Sequence, residues 1–273
     1  MKNVHFYKYH GAGNDFIIID GRNNPLELSA KEIHFLCHRR FGIGADGLMI
    51  VEKADGLDFS MRYFNSDGSE DYMCGNGGRC MVAFAARETT KNAYVFSAVD
   101  GIHHAKLMNR NGNEMEVCIE INYEDNIRLY EKDMFFLYTG TPHLVIFDTD
   151  VAKMDVAVRG AFWRHHPDFA PKGTNVNFVE IASDGNLFVR TFERGVEAET
   201  LACGTGVTAS AIATYVRAMV GGMHSLEERH IYPIRTLGGK LQVSFKTKGN
   251  NFYEVELTGP ATFVFEGDIS LPV

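Results

Sequence analysis

The feature that most constrains this chain is that it repeats itself. Sliding the sequence by 128 positions lays Phe16-Ile17-Ile18-Ile19-Asp20 on Leu144-Val145-Ile146-Phe147-Asp148, and Leu48-Met49-Ile50-Val51-Glu52 on Val176-Asn177-Phe178-Val179-Glu180. The same shift pairs Arg62-Tyr63-Phe64-Asn65 with Arg190-Thr191-Phe192-Glu193, and after one inserted residue Cys74-Gly75-Asn76-Gly77 meets Cys203-Gly204-Thr205-Gly206 at a shift of 129. Internal repetition of this kind points to two copies of one structural unit. A length of 273 residues exceeds the roughly 100 to 200 residues of a typical domain and agrees with two.

Each half reads as short β-rich runs bounded by turn residues, such as 15–20, 48–51 and 58–64 in the first. Each Cys-Gly-x-Gly is followed by an apolar stretch suited to a buried helix, 79–87 and 207–219. Further apolar strands follow, 116–121 in one half and 240–245 with 253–257 in the other. This order predicts an α+β chain in which a sheet wraps round a central helix.

The repeated cysteine is placed where chemistry is possible. At a helix N-terminus the unpaired backbone N–H groups and the helix dipole stabilise both a thiolate and a bound carboxylate. The glycines at 75, 77, 78, 204 and 206 let backbone approach a ligand where a Cβ would intrude. One such motif alone reads as a buried cysteine beside a tight turn. Two at equivalent places of a repeat put two thiols across a pseudo-two-fold axis, and inversion at a carbon needs two groups of that kind. A thiolate on one face removes the proton while a thiol on the other delivers one. Because no Schiff-base signature is evident, the helix N-termini must stabilise the developing carbanion charge.

Charge and composition remove other classes. A formal net charge of −8, without any cluster of lysine and arginine, lacks the footprint of nucleic-acid or anionic-membrane binding, so a small-molecule partner is expected. The residues Met1-Lys2-Asn3-Val4-His5-Phe6 lack the apolar stretch expected of a signal peptide and no run approaches the roughly 20 apolar residues of a membrane span, so the expectation is a cytoplasmic protein. Five cysteines without CxxC spacing argue against a disulfide framework or a structural metal. No metal and no cofactor is expected.

The segments His10-Gly11-Ala12-Gly13-Asn14-Asp15-Phe16, Gly42-Ile43-Gly44-Ala45-Asp46-Gly47-Leu48, Phe64-Asn65-Ser66-Asp67-Gly68-Ser69-Glu70, Cys74-Gly75-Asn76-Gly77-Gly78-Arg79-Cys80, Gly173-Thr174-Asn175 and Glu193-Arg194-Gly195 through Cys203-Gly204-Thr205-Gly206 closely resemble the diaminopimelate epimerase family. The more distant proline racemases and phenazine-type isomerases of the same fold differ around both cysteines and Glu-Arg-Gly. The resemblance implies two pseudo-symmetric domains, each an antiparallel barrel-like sheet round a central helix, with the last strand returning to the first: 1–124 plus 260–273, and 125–259. It implies a homodimer that interconverts LL- and meso-diaminopimelate without pyridoxal phosphate, for lysine and cell-wall precursors. It makes Cys74 and Cys203 the catalytic pair, with His143 and Glu193 bonding or tuning them. Asn14, Asn65, Asn175, Glu193 and Arg194 are implied in binding substrate, and backbone N–H groups of Gly75, Asn76, Gly204 and Thr205 would take the reacting carboxylate. For Arg194 the physics agrees, since a guanidinium fork matches a carboxylate bidentately.

Three departures stand out: Gly47 where some members carry a substrate-contacting glutamine, Thr141 where many carry asparagine, and a run between Arg194 and Cys203 one residue longer than in many members. Gly42-Ile43-Gly44-Ala45-Asp46-Gly47 is formally a GxGxxG, but it follows a helical pattern and precedes a strand, the reverse of a dinucleotide fingerprint. The pairs His103-His104 and His165-His166 point apart on a strand or loop and read as surface histidines rather than metal ligands. Cys37, Cys80 and Cys118 read as packing residues, and Asp67, Glu70 and Asp71 as a solvated loop. Two other functions remain: a related amino-acid racemase of this fold, or, from another class, a cysteine hydrolase or transferase using one thiol beside His143.

Overall fold

The computed structural model describes residues 2–121, 123, 126–221, 229–249 and 251–271. The chain divides into two compact units, one formed by 1–119 with 259–273 and the other by 120–258. The expected boundary at 124/125 falls on residues outside those described.

Unit 1 contains β1 (Asn3–Gly11), β2 (Asn14–Asp20), α1 (Ala30–Cys37), β3 (Gly47–Glu52), β4 (Phe59–Asn65), β5 (Glu70–Asp71), α2 (Gly75–Ala85), β6 (Ala93–Ala98), β7 (Gly101–Asn111) and β8 (Glu114–Glu120). Unit 2 contains β9 (Arg128–Glu131), β10 (Met134–Tyr138), β11 (Pro142–Phe147), α3 (Val156–Arg164), β12 (Asn175–Ile181), β13 (Leu187–Glu193), β14 (Ala198–Thr200), α4 (Gly204–Val220), β15 (Arg229–Thr236) and β16 (Gly239–Lys248). A long strand, β17 (Asn251–Ser270), begins in unit 2 and ends in unit 1.

The ladders repeat as the sequence does. In unit 1, β1–β2 and β3–β4 are antiparallel, β2–β3 and β4–β6 parallel, and β6–β7 and β7–β8 antiparallel. In unit 2, β10–β11 and β12–β13 are antiparallel, β11–β12 and β13–β15 parallel, and β15–β16 and β16–β17 antiparallel. Each unit is the barrel-like sheet round a central helix that the resemblance implies, with two parallel junctions among its antiparallel ladders. The reason is that parallel neighbours need a long crossover, and α1, α2, α3 and α4 each supply one. In unit 1 the later part of β17 pairs with β1, from Asn3↔Ser270 to His10↔Thr262, and with β8, so the barrel closes on itself.

Inside each barrel lies the helix that follows the cysteine. Residues 75–84 of α2 are all buried, and α4 buries Gly204 and 206–214. These segments are buried on every side because strands surround them, and most of their side chains are small or apolar. In unit 1, α2 packs on β1, β2, β3 and β7; in unit 2, α4 packs on β10, β11, β12, β13 and β16. A sheet that is buried on its inner face and carries α1 or α3 outside it reads as near-continuous apolar runs, and Phe16, Ile17 and Ile18 are all fully buried. At about 1.5–3 kcal/mol per fully buried large side chain, this core holds both helix N-termini rigidly.

Candidate active site

In unit 1, Cys74 is the N-cap of α2, with extended backbone (φ −87°, ψ 126°) and no side-chain capping bond. Its sulfur donates to Asn14 Oδ1 at 3.8 Å. The tight β1–β2 hairpin pairs Gly11 with Asn14 and so sets that carboxamide at the start of β2. Asn14 Nδ2 donates to Asp46 Oδ2 (2.8 Å), which turns Oδ1 toward Cys74 and Asn76, whose Nδ2 donates to it at 3.2 Å. Arg79, one turn further along α2, is fully buried; it donates to Asn76 Oδ1 (2.7 Å), the Gly75 carbonyl (3.1 Å) and the Pro260 carbonyl (3.4 Å). Burial works against ionisation of Asp15, but Arg39 and Lys8, which both bond it, hold its carboxyl well below the usual range.

Asn65 ends β4 opposite Gly47. Its Nδ2 donates to Ser69 Oγ (3.3 Å) and Asp71 Oδ2 (3.0 Å), and its Oδ1 accepts from Tyr63 Oη at 3.1 Å. A Cβ on Gly47 would lie 2.6 Å from the Tyr63 ring and 2.7 Å from the Phe64 carbonyl. Position 47 therefore has no room for a side chain in this molecule; the tyrosine occupies that space. The acidic run is not merely a solvated loop. Asp71 on β5 secures Asn65, Glu70 pairs with Arg62 at 3.0 Å, and only Asp67 closes a local turn with Ser69.

In unit 2, Cys203 is the N-cap of α4 and is buried. Its Sγ lies 3.5 Å from Thr205 Oγ1, and Thr205 Oγ1 lies 3.0 Å from His143 Nε2. His143 thus reaches the sulfur through the Thr205 hydroxyl. The histidine is fully buried, and burial first, with the charge of Arg194 second, pushes its pKa down to about 3, so it is neutral. Its tautomer is decided by Asn177. Thr191 Oγ1 donates to Asn177 Oδ1 (3.0 Å) and the Leu144 carbonyl accepts from Nδ2 (3.2 Å), so the NH₂ end faces His143 Nδ1 at 3.1 Å. Nδ1 must then accept, and Nε2 carries the proton. Nε2 is also 3.0 Å from Thr141 Oγ1, which in turn lies 3.5 Å from Thr205 Oγ1. By either route the Thr205 oxygen receives a proton and is free to turn its own toward Cys203.

Asn175 binds Thr141 Oγ1 (3.0 Å) and the Pro142 carbonyl (3.3 Å) through Nδ2, and accepts from the Arg194 backbone N–H at 2.8 Å. It ties the start of β12 to the end of β13, where Glu193 and Arg194 sit half-buried. Gly206 is obligatory here: a Cβ would stand 2.3 Å from Asn177 Oδ1. Thus Cys74, Asn14, Gly75 and Asn76 are joined in one network, Cys203, Thr205, His143, Asn175 and Thr141 in another, and Asn65 sits in a third with Tyr63 and Asp71.

Sequence reasoning passed over Arg79, Asn177, Thr191 and Tyr63. A signal existed for two of them: Arg79 is a lone charge in an apolar helix, and Asn175 and Asn177 alternate on one face of an otherwise apolar strand.

The remaining motifs separate. His103 is not a surface residue: it is buried, bonds Asp100 at 3.0 Å and stacks on Phe96, because the inward-facing side of β7 claims it, while His104 is exposed. Among the described residues no group of three or more His, Cys, Asp or Glu is placed to hold a metal ion. Cys37, Cys80 and Cys118 are buried, and burial raises the Cys37 and Cys80 thiols to about 12. Gly42 to Gly47 joins α1 to β3, opposite in sense to a strand-to-helix phosphate loop.

A family model described as Diaminopimelate epimerase matches residues 6–120 and 135–264. The chain is 44% identical over 270 residues to a diaminopimelate epimerase of Flavobacterium psychrophilum, covering 96% of this chain and 99% of the relative. It is 38% identical to the enzyme of that name from Chlorobaculum tepidum, with 96% and 99% covered. Among solved structures, a phenazine biosynthesis protein of the PhzF family from Bacillus anthracis superposes with a TM-score of 0.74 at 16% identity, covering 99% of this chain and all of the other. A hydroxyproline epimerase from Agrobacterium vitis does so with a TM-score of 0.67 at 13% identity, covering 98% and 92%. Those two share the fold; the sequence matches go further, and with one cysteine-capped helix in each unit this chain belongs to the diaminopimelate epimerase family.

Proposed function

We propose that this protein interconverts LL- and meso-diaminopimelate by two-base proton transfer, with Cys74 and Cys203 as base and acid at one α-carbon. The observation that carries the reading is that each cysteine is the N-cap of a buried helix and leaves the helix N–H groups uncapped by its side chain. Such N-termini suit a thiolate and a carboxylate alike. Backbone N–H groups at Gly75, Asn76, Gly204 and Thr205 take the reacting carboxylate in this reading and stabilise the charge that grows on it as the α-proton leaves. A carboxylate and carbanion stabilised in this way need no Schiff base, so the reaction runs without pyridoxal phosphate.

The distal half of the substrate is assigned to Asn14, Asn65, Asn175, Glu193 and Arg194. Asn65 has both amide protons engaged by Ser69 and Asp71, so its remaining capacity is to accept, which fits an ammonium. Arg194 supplies the fork for a carboxylate. His143 acts on Cys203 through Thr205, and Glu193 acts beside the thiols. The reading extends to a homodimer, as the family resemblance implies, and to the cytoplasm, where thiols stay reduced.

The test is to incubate the reduced protein with LL-diaminopimelate in deuterated water and follow the α-position by NMR. Deuterium entering with inversion is the expected result; inversion without exchange, or no reaction, would sink the proposal. Oxidation of the substrate-free protein should also link Cys74 to Cys203, with activity lost and then restored by dithiothreitol. Peptide mapping that never finds this linkage in inactive, rescuable protein would show that the two thiols do not serve one carbon.

A further inference from the structure

In unit 2 the two segments assigned to the far end of the substrate are joined by a side chain that belongs to neither. Arg164 ends α3, and its Nε and Nη2 donate to Glu197 Oε1 at 3.0 and 2.8 Å. The same oxygen accepts the Gly195 backbone N–H at 3.0 Å, and His165 Nε2 lies 3.4 Å from Oε2. Glu197 donates its own N–H to the Glu193 carbonyl at 2.8 Å, so residues 193–197 form a closed turn that contains Arg194. The turn is not one that a side-chain-bearing backbone prefers: Glu197 holds a left-handed φ of +56°, with Gly195 at +92°. On its other side Arg164 packs on the second segment. Its Nη1 donates to the Lys172 carbonyl at 3.5 Å, and a Cβ on Gly173 would fall 1.7 Å from that nitrogen. Two residues on, Asn175 Oδ1 accepts the Arg194 N–H. An exposed ion pair alone orders little, whereas a network can. Here the Arg164 side chain is only 15% exposed, and its partner gathers three donors on one carboxylate oxygen.

We propose that Arg164 and Glu197 form a clamp that positions Arg194 for the distal carboxylate of the substrate. The inference rests on the assignment of Arg194 to that carboxylate and says what aims it. Arg164 and Glu197 are positioning residues in this reading, and neither touches the substrate. Asn175 fixes the Arg194 backbone from one side, and the clamp fixes Gly195 and Glu197 from the other, so the guanidinium fork leaves a backbone held at both flanks. A bidentate fork depends on angle as much as on distance, and a turn free to rock would lose one of its two bonds. Glu197 lies in the run that is one residue longer here than in many members, and the clamp keeps that longer turn in one shape. At the repeat offset Arg164 corresponds to Leu36, which is fully buried among apolar side chains, so unit 1 carries no charge at that position.

The experiment is steady-state epimerisation of LL-diaminopimelate, with amide hydrogen exchange measured on the same reduced proteins. Arg164→Met should raise KM about tenfold and change kcat by less than about twofold, because the binding lost is common to ground and transition states. Glu197→Ala should match it, with Arg164→Lys and Glu197→Gln in between. Combining Arg164→Met with Glu197→Ala should add little to either, as for two halves of one contact. In an Arg194→Met background the clamp variants should no longer move KM, whereas residues that only stabilised the fold would lower activity in both backgrounds. Exchange at the Arg194 and Glu197 amides should speed up about tenfold in the variants while the amides of 176–179 stay protected. An unchanged KM in Glu197→Ala, a loss in kcat alone, an equal loss in the Arg194→Met background, or unaltered exchange at 194 and 197 would each overturn the proposal. Should Arg164→Met fail to fold, Glu197→Ala, at an exposed position, carries the test. If the parent protein turns over no diaminopimelate, the epimerase reading falls, and the exchange rates alone decide whether the clamp holds the turn.

Discussion

Cys74 and Cys203 occupy the same place in two copies of one scaffold, yet their surroundings are built on different principles. Near Cys74 the supporting groups are ions: Arg79 beneath the helix, Asp15 held between Lys8 and Arg39, and Asp46 orienting Asn14. Near Cys203 they are mostly neutral: Thr205, Thr141, a deprotonated His143, Asn177 and Thr191. Position by position at the repeat offset, Asp15 corresponds to His143, Met49 to Asn177, Tyr63 to Thr191 and Arg79 to Thr208. The duplication has kept the strand order, the two glycines of each Cys-Gly-x-Gly and the helix N-termini while the electrostatics diverged. For a reaction whose two substrates differ in hand at one carbon, two unlike thiols on like backbones are what the chemistry asks for.

The comparison is broken most severely at the sulfurs. Cys74→Ser and Cys203→Ser should each lower epimerisation by about 10³-fold or more, since a hydroxyl does not ionise as a thiol does. Steady-state turnover measures it, and near-normal activity in either variant would mean that the two sites are not partners.

Mild acid should separate the units next. His143 has its folded pKa depressed to about 3 from 6.5, so the unfolded chain takes up a proton below 6.5 while the folded chain does not. Its contribution to stability is therefore complete above pH 6.5 and declines as pH falls toward 3, by about 1.4 kcal/mol per unit. Asp15, whose carboxyl is held low, contributes above the ordinary range of about 3.9 and loses its share only below it. Denaturant midpoints against pH should thus show loosening from His143 first, and His143→Gln should flatten that limb alone; an unchanged slope in this variant would contradict the buried neutral histidine.

At the Met49/Asn177 pair, Asn177→Leu removes the donor to His143 and leaves the Thr191 hydroxyl unpaired in the core, at a cost of about 1–3 kcal/mol. Met49→Leu, a near-isosteric change, should cost less than about 1.5 kcal/mol. Equal losses in chemical denaturation would erase the distinction.

The smallest contrast lies at Tyr63 and Thr191, each donating one hydroxyl to an asparagine Oδ1. Tyr63→Phe and Thr191→Val should each cost about 1 kcal/mol. In Tyr63→Phe the loss should surface as a raised KM, because Asn65 is assigned to substrate, and in Thr191→Val as lowered stability. The two effects exchanged would reverse the roles given to Asn65 and Asn177.

Much of this molecule is legible in its sequence for a simple reason: the repeat carries strand runs, glycine turns and helices in fixed order, and each is set by local pattern. The Cys-Gly-x-Gly motifs mark both helix N-termini. What resists reading is whatever depends on meeting a distant residue. Two strand junctions per unit are parallel because helices cross between them, which alternation of apolar residues does not reveal. The link from His143 to Thr205 spans 62 positions, and its reliance on Asn177 follows only from knowing where Thr191 and the Leu144 carbonyl fall. Gly47 looks like a missing contact until Tyr63 is found in its place, and His103 looks exposed until β7 turns it inward.

The strand β17 bears on how such a chain acquires its structure. Its pairing with β1 joins Asn3 to Ser270, partners 267 positions apart. Closure of so long a loop is entropically slow, and topologies dominated by such pairings fold late. Until residues 259–270 arrive, β1 presents an open row of amide and carbonyl groups, the template on which foreign strands add. A nascent or truncated chain ending near 258 would therefore be prone to aggregate, and a ribosome-bound chain would depend on chaperones over that interval, whatever the stability of the finished protein.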